Sequence, residues 1–104
     1  MDSDRLSSLR RMSMQRPGDA RVRFGLAVEL LNAGLSEEGV EALRSYLEME
    51  SQDGSAWGRL GAALADMGQR DAAVHAYRKG LDVARERGHS GLVDDMEEAL
   101  EELG

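Results

Sequence analysis

The residues in this chain best suited to chemistry are its two histidines, each with a carboxylate close by: His75 lies one turn after Asp71, and His89 follows Glu86 by three residues. A carboxylate–imidazole pair can fix a tautomer for proton transfer or supply two ligands of a metal site. Neither pair has a third ligand or a nucleophile at motif spacing, and the chain has no cysteine to supply a thiolate. The plainer reading is an exposed histidine beside a carboxylate on one helix face. The acids Asp94, Asp95, Glu97, Glu98, Glu101 and Glu102 come in adjacent pairs, and consecutive helical residues point to different faces. They therefore solubilise a helix and do not form a general acid and base. Gly54, Gly58 and Gly61 are assigned to a turn and to helix packing, so no phosphate-cradling loop is present. No catalytic residue, no metal site and no cofactor is expected, and the chain does not read as an enzyme. An accessory role for His75 or His89 in another enzyme is a remote alternative.

The elements that carry these residues follow from composition. At 104 residues with 41% hydrophobic and 32% charged, the chain suits one domain with one core. The absence of cysteine excludes a disulfide-stapled scaffold. Aromatic content is 4% and proline occurs once, while Ala, Leu, Arg and Glu abound, so the expected class is all-α. Met1 to Arg16 interleaves charge with its apolar residues and does not read as a secretory signal; Asp2 and Asp4 also count against an organellar transit peptide. Each apolar cluster is broken by charge within a turn or two, so no membrane span is expected, and the expected location is the cytoplasm.

Internal repetition decides the arrangement of the helices. Sliding the sequence by 34 residues aligns Val22 with Ala56, Leu26 with Leu60, Ala27 with Gly61, Leu30 with Leu64 and Gly34 with Gly68. In the second half of the unit Gly39 falls on Ala73, Val40 on Val74, Leu43 on Tyr77 and Leu47 on Leu81. A fixed period of this length signals a solenoid. Apolar residues at helical spacing flank Gly34 or Gly68, so each unit is a helical hairpin with a glycine turn. Ala27, Gly39, Gly61 and Ala73 read as the crossing points, where a small residue lets two backbones approach. Extended backwards, the frame sets Leu6 under Val40, Leu9 under Leu43 and Asp19 under Asp53, which makes the N-terminus a half repeat with a helix over Ser3–Gln15. Extended forwards it fails, since Leu60 maps to Asp94 and Leu64 to Glu98. A new amphipathic phase then begins, with Leu92, Met96, Ala99, Leu100 and Leu103 on one face. The expected plan is a half repeat (1–17), two repeats (20–53 and 54–87) and a capping helix (90–104), about six helices in all.

Trp57, Leu60, Gly61, Leu64, Gly68, Ala73 and Tyr77 fall at the spacing of the tetratricopeptide repeat (TPR) family, which the second unit closely resembles. It departs from that pattern with Leu64 where Tyr is commoner, Gly80 where Ala is usual and Arg85 where Pro would close the unit. The first unit is a weaker copy, with Arg23 in place of the Trp, Ala27 in place of the Gly, Gly39 at the small site and Leu43 at the aromatic site. The whole resembles a short bacterial-type member with two repeats plus flanking helices. The resemblance implies a right-handed α-solenoid of antiparallel hairpins that acts as an adaptor or scaffold, binding a peptide or protein on a concave surface lined by the first helix of each hairpin. Carried over by position, the groove residues are Arg21, Phe24, Val28, Leu31 and Asn32 from the first repeat and Ser55, Gly58, Ala62, Ala65 and Asp66 from the second. The first set is apolar and the second small, which suits an apolar or helical ligand. The competing reading buries Phe24, Val28 and Leu31 under the N-terminal helix or in a self-contact. Family members that clamp a C-terminal carboxylate use Lys and Asn in the groove; Phe24, Val28, Arg59 and Ala62 occupy the compared places, which disfavours that ligand.

Charge is unevenly distributed. Met1 to Arg23 holds six arginines against three aspartates, net +3, whereas the rest of the chain is net -10 within an overall charge of -7. The basic start is short, lacks interleaved aromatics and belongs to an acidic protein, so no nucleic-acid partner is expected. The alternative to partner binding is a self-associating structural subunit, with the basic end of one molecule meeting the acidic end of another in a weak homo-oligomer.

Overall fold

The computed structural model describes residues 2–104; Met1, at the head of the expected half repeat, lies outside them. The described residues form six helices, α1 (Asp2–Gln15), α2 (Ala20–Asn32), α3 (Ser36–Met49), α4 (Gly54–Asp66), α5 (Arg70–Glu86) and α6 (Ser90–Leu103). They gather into two compact units, the first ending at Glu50 and the second beginning at Ser51.

In the first unit α2 packs on α3 and α1 packs on α2. The Asp19 carboxylate accepts from the Val22 N–H at 3.3 Å and caps α2. Gly34, at φ 80, ends the helix: its N–H donates to the Leu31 carbonyl and the Leu35 N–H to the Leu30 carbonyl. This double closure needs a left-handed residue, which glycine adopts without steric cost. The core holds Leu6, Val22, Ala27, Leu30, Val40, Leu43 and Leu47.

The second unit repeats this chemistry 34 residues on. The Asp53 carboxylate accepts from the Ala56 N–H at 3.0 Å, and Gly68, at φ 76, closes α4 through the same pair of bonds. Gly61 is the crossing point of α4 and α5: a Cβ placed there would lie 2.8 Å from Tyr77 Cδ1. Gly80 meets Trp57 Cβ and Met96 Sδ at 3.1 and 3.2 Å by the same construction, which accounts for glycine at a site where the repeat pattern favours alanine.

α6 packs on α5 and α4 through Leu92, Val93, Met96, Ala99, Leu100 and Leu103. The forward frame fails at α6 because α5 has 17 residues where α3 has 14, while the loop that follows it, 87–89, is one residue shorter than 50–53. α6 opens at Ser90, two residues later than the period places it after Gly54. With that offset Leu60 falls on Met96 and Leu64 on Leu100, so the capping helix holds the place of a first helix of a hairpin.

Candidate functional site

One hydrogen bond recurs in both units at the frame position of the family's tryptophan. Trp57 Nε1–H donates to the Ser51 carbonyl at 2.9 Å. In the first unit Arg23 donates through NH2 to the Pro17 carbonyl at 2.7 Å, across the same six residues. Arg23 also donates to the Ser45 hydroxyl, while its buried Nε has no partner. An arginine therefore performs the indole's tether and leaves one donor unsatisfied. It lines a recess of about 340 Å³ with Leu26, Leu30, Glu38, Glu41 and others.

The expected groove residues separate into those left open and those used for packing. On α2, Arg21 and Asn32 are exposed, and Phe24, Val28 and Leu31 are half-buried. Leu31 lies across Gly39, where an added Cβ would come within 2.7 Å of its Cδ2, so this side chain is taken up by the α2–α3 crossing. Phe24 is tilted against Tyr46 of α3, with ring centroids 4.9 Å apart. Those two rings line a second recess of about 250 Å³ together with Ala20, Arg21, Gly25 and Glu50. The first-unit face thus combines an aromatic pair with one basic and one acidic side chain. Nothing in the 34-residue frame or the family positions singled out Tyr46 or Glu50; the signal available was their placement in the last turn of α3 and at its C-cap.

On α4, Ser55, Ala62 and Asp66 are exposed and Ala65 is half-buried. Gly58 is buried, and Met96 Cε would lie 2.7 Å from a Cβ added there. Gly58 thus seats α6 and presents nothing to a ligand. Gly54, Gly58 and Gly61 of α4 serve the close approach of helices.

The candidate chemical residues remain dispersed. His75, His89, Asp71 and Glu86 are all exposed, and Asp71 lies 3.9 Å from Arg70. Among the described residues no group of three or more metal-ligating side chains comes together, and no helix is long and apolar enough to cross a membrane. Tyr77 has a displaced ionisation. Burial, then the charges of Asp66 and Glu102, push its phenol above the ordinary value of 10.0. This is a packing effect at the α4–α5 crossing.

Comparison with known proteins agrees with this architecture. A family model described as tetratricopeptide repeat matches residues 1–84. The TPR repeat-containing protein PA0015 of Pseudomonas aeruginosa is 29% identical over 98 residues, covering 94% of this chain and 93% of that protein. Among solved structures, PcrH in complex with the chaperone binding region of PopD superposes with TM-score 0.88 at 18% identity, covering 98% of this chain and 77% of that one. SycD, the type III secretion translocator chaperone of Yersinia enterocolitica, gives TM-score 0.88 at 13% identity, with 98% and 71% covered. These two likenesses show a shared fold.

Proposed function

Because the chain belongs to the tetratricopeptide repeat family, we propose that it is a protein-interaction module with no chemistry of its own, binding an apolar or helical segment of a partner protein on the groove face of α2 that carries Arg21 and Phe24. The observation that carries this reading is the recess formed by Phe24 and Tyr46 with Arg21 and Glu50 at its rim. Aromatic pairs supply contact area at low cost in side-chain entropy, and a rim of opposite charges fixes orientation. PcrH, which shares the fold, is seen with the chaperone binding region of PopD, and that supports a peptide-like ligand here. Val28 and Asn32 extend the same helix face, and Ser55, Ala62 and Asp66 offer a second, smoother patch on α4.

Affinity capture from the source cell, with the intact chain and with Arg21→Glu or Phe24→Glu, tests the assignment. Arg21 is exposed, so its substitution leaves the core untouched; Phe24→Glu needs a matching helical melt to show that it folds. Loss of the same captured partner in both variants is expected. A partner retained at full strength by both variants overturns the assignment of this face.

A further inference from the structure

One side chain in the first unit departs from the repeat pattern and leaves a buried donor without a partner, which calls for a physical reason. Arg23 stands where the second unit has Trp57. Each ties down the carbonyl six residues earlier, Pro17 or Ser51, but Trp57 does so with the one N–H that an indole carries. Arg23 makes the same tether with its Nε buried and unpartnered. Local departures of this kind gather at functional sites.

What the guanidinium adds is a bond to the neighbouring helix. Arg23 NH1 donates to the Ser45 hydroxyl of α3, whereas the single indole N–H of Trp57 is taken by the Ser51 carbonyl. The residues that follow this bonded pair in the chain are Phe24 and Tyr46, the two rings of the aromatic recess, with centroids 4.9 Å apart. In the second unit the 34-residue frame puts Gly58 and Gly80 at the ring positions and an exposed Lys79 at the position of Ser45. The first unit has both the rings and the bond at these positions; the second, among the described residues, has neither. Spacing links the two. A Cβ at Gly80 would lie 3.1 Å from Trp57 Cβ and 3.2 Å from the Gly54 carbonyl oxygen. Tyr46 carries a Cβ at that frame position, and carbon contacts ordinarily begin at about 3.5 Å, so the tyrosine needs α2 and α3 slightly further apart there. The Arg23 side chain spans that gap.

We propose that Arg23 is a positioning residue for the aromatic recess. Its bond to Ser45 fixes the α2–α3 separation that sets Phe24 against Tyr46, and its tether to Pro17 fixes the turn leading into Ala20 and Arg21 of the same recess. Arg23 does not line that recess, so it acts through the rings and touches no ligand there. The inference rests on the reading of the recess as a partner site. A ring pair held in place before the partner arrives loses less freedom on binding, and the orphaned Nε accompanies that gain.

Aromatic NMR of the full chain reads the ring pair without a partner, because Phe24 is the single phenylalanine and Tyr46 one of two tyrosines. The intact chain is expected to show cross-ring NOEs between Phe24 and Tyr46, and Ser45→Thr, which keeps the hydroxyl, to retain them. Ser45→Ala and Arg23→Trp should each lose them while a helical melt shows the chain folded. Capture of the partner held by the intact chain should weaken about tenfold in both variants. Arg23→Trp then gains stability and loses binding, a split that a merely structural arginine would not produce. NOEs unchanged in Ser45→Ala and Arg23→Trp, or lost in Ser45→Thr as fully as in Ser45→Ala, overturn the proposal. An Arg23→Trp that folds but melts lower than the intact chain does so too, since the arginine would then stand there for stability; if that variant does not fold, the two Ser45 variants decide alone. A partner kept at full strength by Ser45→Ala and Arg23→Trp but lost on Phe24→Glu overturns this inference and leaves the partner-binding reading standing. A partner kept by all three variants overturns both.

Discussion

Gly61→Ala tests the packing of the second unit with two terms of opposite sign. Alanine in a helix interior is favoured over glycine by about 1 kcal/mol. Against this, the new Cβ would lie 2.8 Å from Tyr77 Cδ1 and Cε1 and 2.9 Å from Cγ, all rigid ring atoms. Ordinary carbon contacts begin at about 3.5 Å, so the ring must retreat by more than half an ångström. It is backed by Leu81 and Met96 in the same core cluster, so the retreat spreads into α6. Overpacking of this kind costs about 1–3 kcal/mol, which leaves a net loss of about 1 kcal/mol. The first unit supplies the control, because Ala27 and Leu43, both fully buried, occupy these frame positions there. In a Tyr77→Leu background the same Gly61→Ala change should therefore stabilise by up to about 1 kcal/mol, a coupling of about 2 kcal/mol across the cycle. Urea unfolding followed by helical circular dichroism and by Trp57, the single tryptophan, measures all four proteins. Equal effects of Gly61→Ala in the two backgrounds would refute the crossing as the reason for the glycine. Gly61→Leu adds four carbons where one does not fit, Ala73→Leu adds three at a fully buried site, and each is expected to leave the second unit unfolded in the same assay.

Arg23→Trp should raise the melting temperature of the first unit: the indole can make the tether to the Pro17 carbonyl, and the buried Nε without a partner disappears, a gain of about 1 kcal/mol. A lower melting temperature would show that the bond to Ser45 outweighs that orphan. Asp19→Ala and Asp53→Ala each remove an N-cap and should each cost about 1 kcal/mol in urea unfolding, with Asn at either position restoring most of it. Tyr77 sets an alkaline limit. Its phenol ionises above 10.0 when folded and near that value when unfolded, so its contribution is complete below about pH 10 and is lost as pH rises through the folded value. The melting temperature should fall above about pH 10, and Tyr77→Phe should make that fall shallower; an unchanged slope in the variant would assign the loss to other groups.

Most of the fold was legible because its signals are local and repeat. The caps Asp19 and Asp53, the left-handed turns at Gly34 and Gly68 and the Gly61–Tyr77 crossing each recur or contact within one 34-residue frame, so periodicity exposes them. α6 was harder to place because its offset depends on three added residues in α5, and an insertion inside a helix alters phase without leaving a turn signal. The candidate site was less legible than the fold. Family positions identify which side chains leave the first helix outward, but whether they stay open depends on what the neighbouring helix presents. Leu31 is claimed by Gly39 and Gly58 by Met96, and both losses arise from the absence of a side chain on one partner.

The two units show that the frame conserves a contact more closely than a residue. Trp57 and Arg23 tether the carbonyl six residues earlier with unrelated donors, one a neutral ring and the other a cation. At the crossing, Gly61 with Tyr77 and Ala27 with Leu43 divide a similar volume in two ways, a smaller residue always facing a larger one. At the crossing, substitutions made singly between the units should therefore damage them, and substitutions made in these pairs should be tolerated. The weak resemblance of the first unit to the family pattern is then compensated change at contacting positions. It also accounts for a difference in packing: where α4 is lined with glycine and alanine it seats α6 closely, whereas α2 carries Arg21 and Phe24, which line an aromatic recess with Tyr46. Replacing small residues with large ones on a first helix thus removes a seat for a neighbouring helix, which is the basis on which we propose that the α2 face receives a partner.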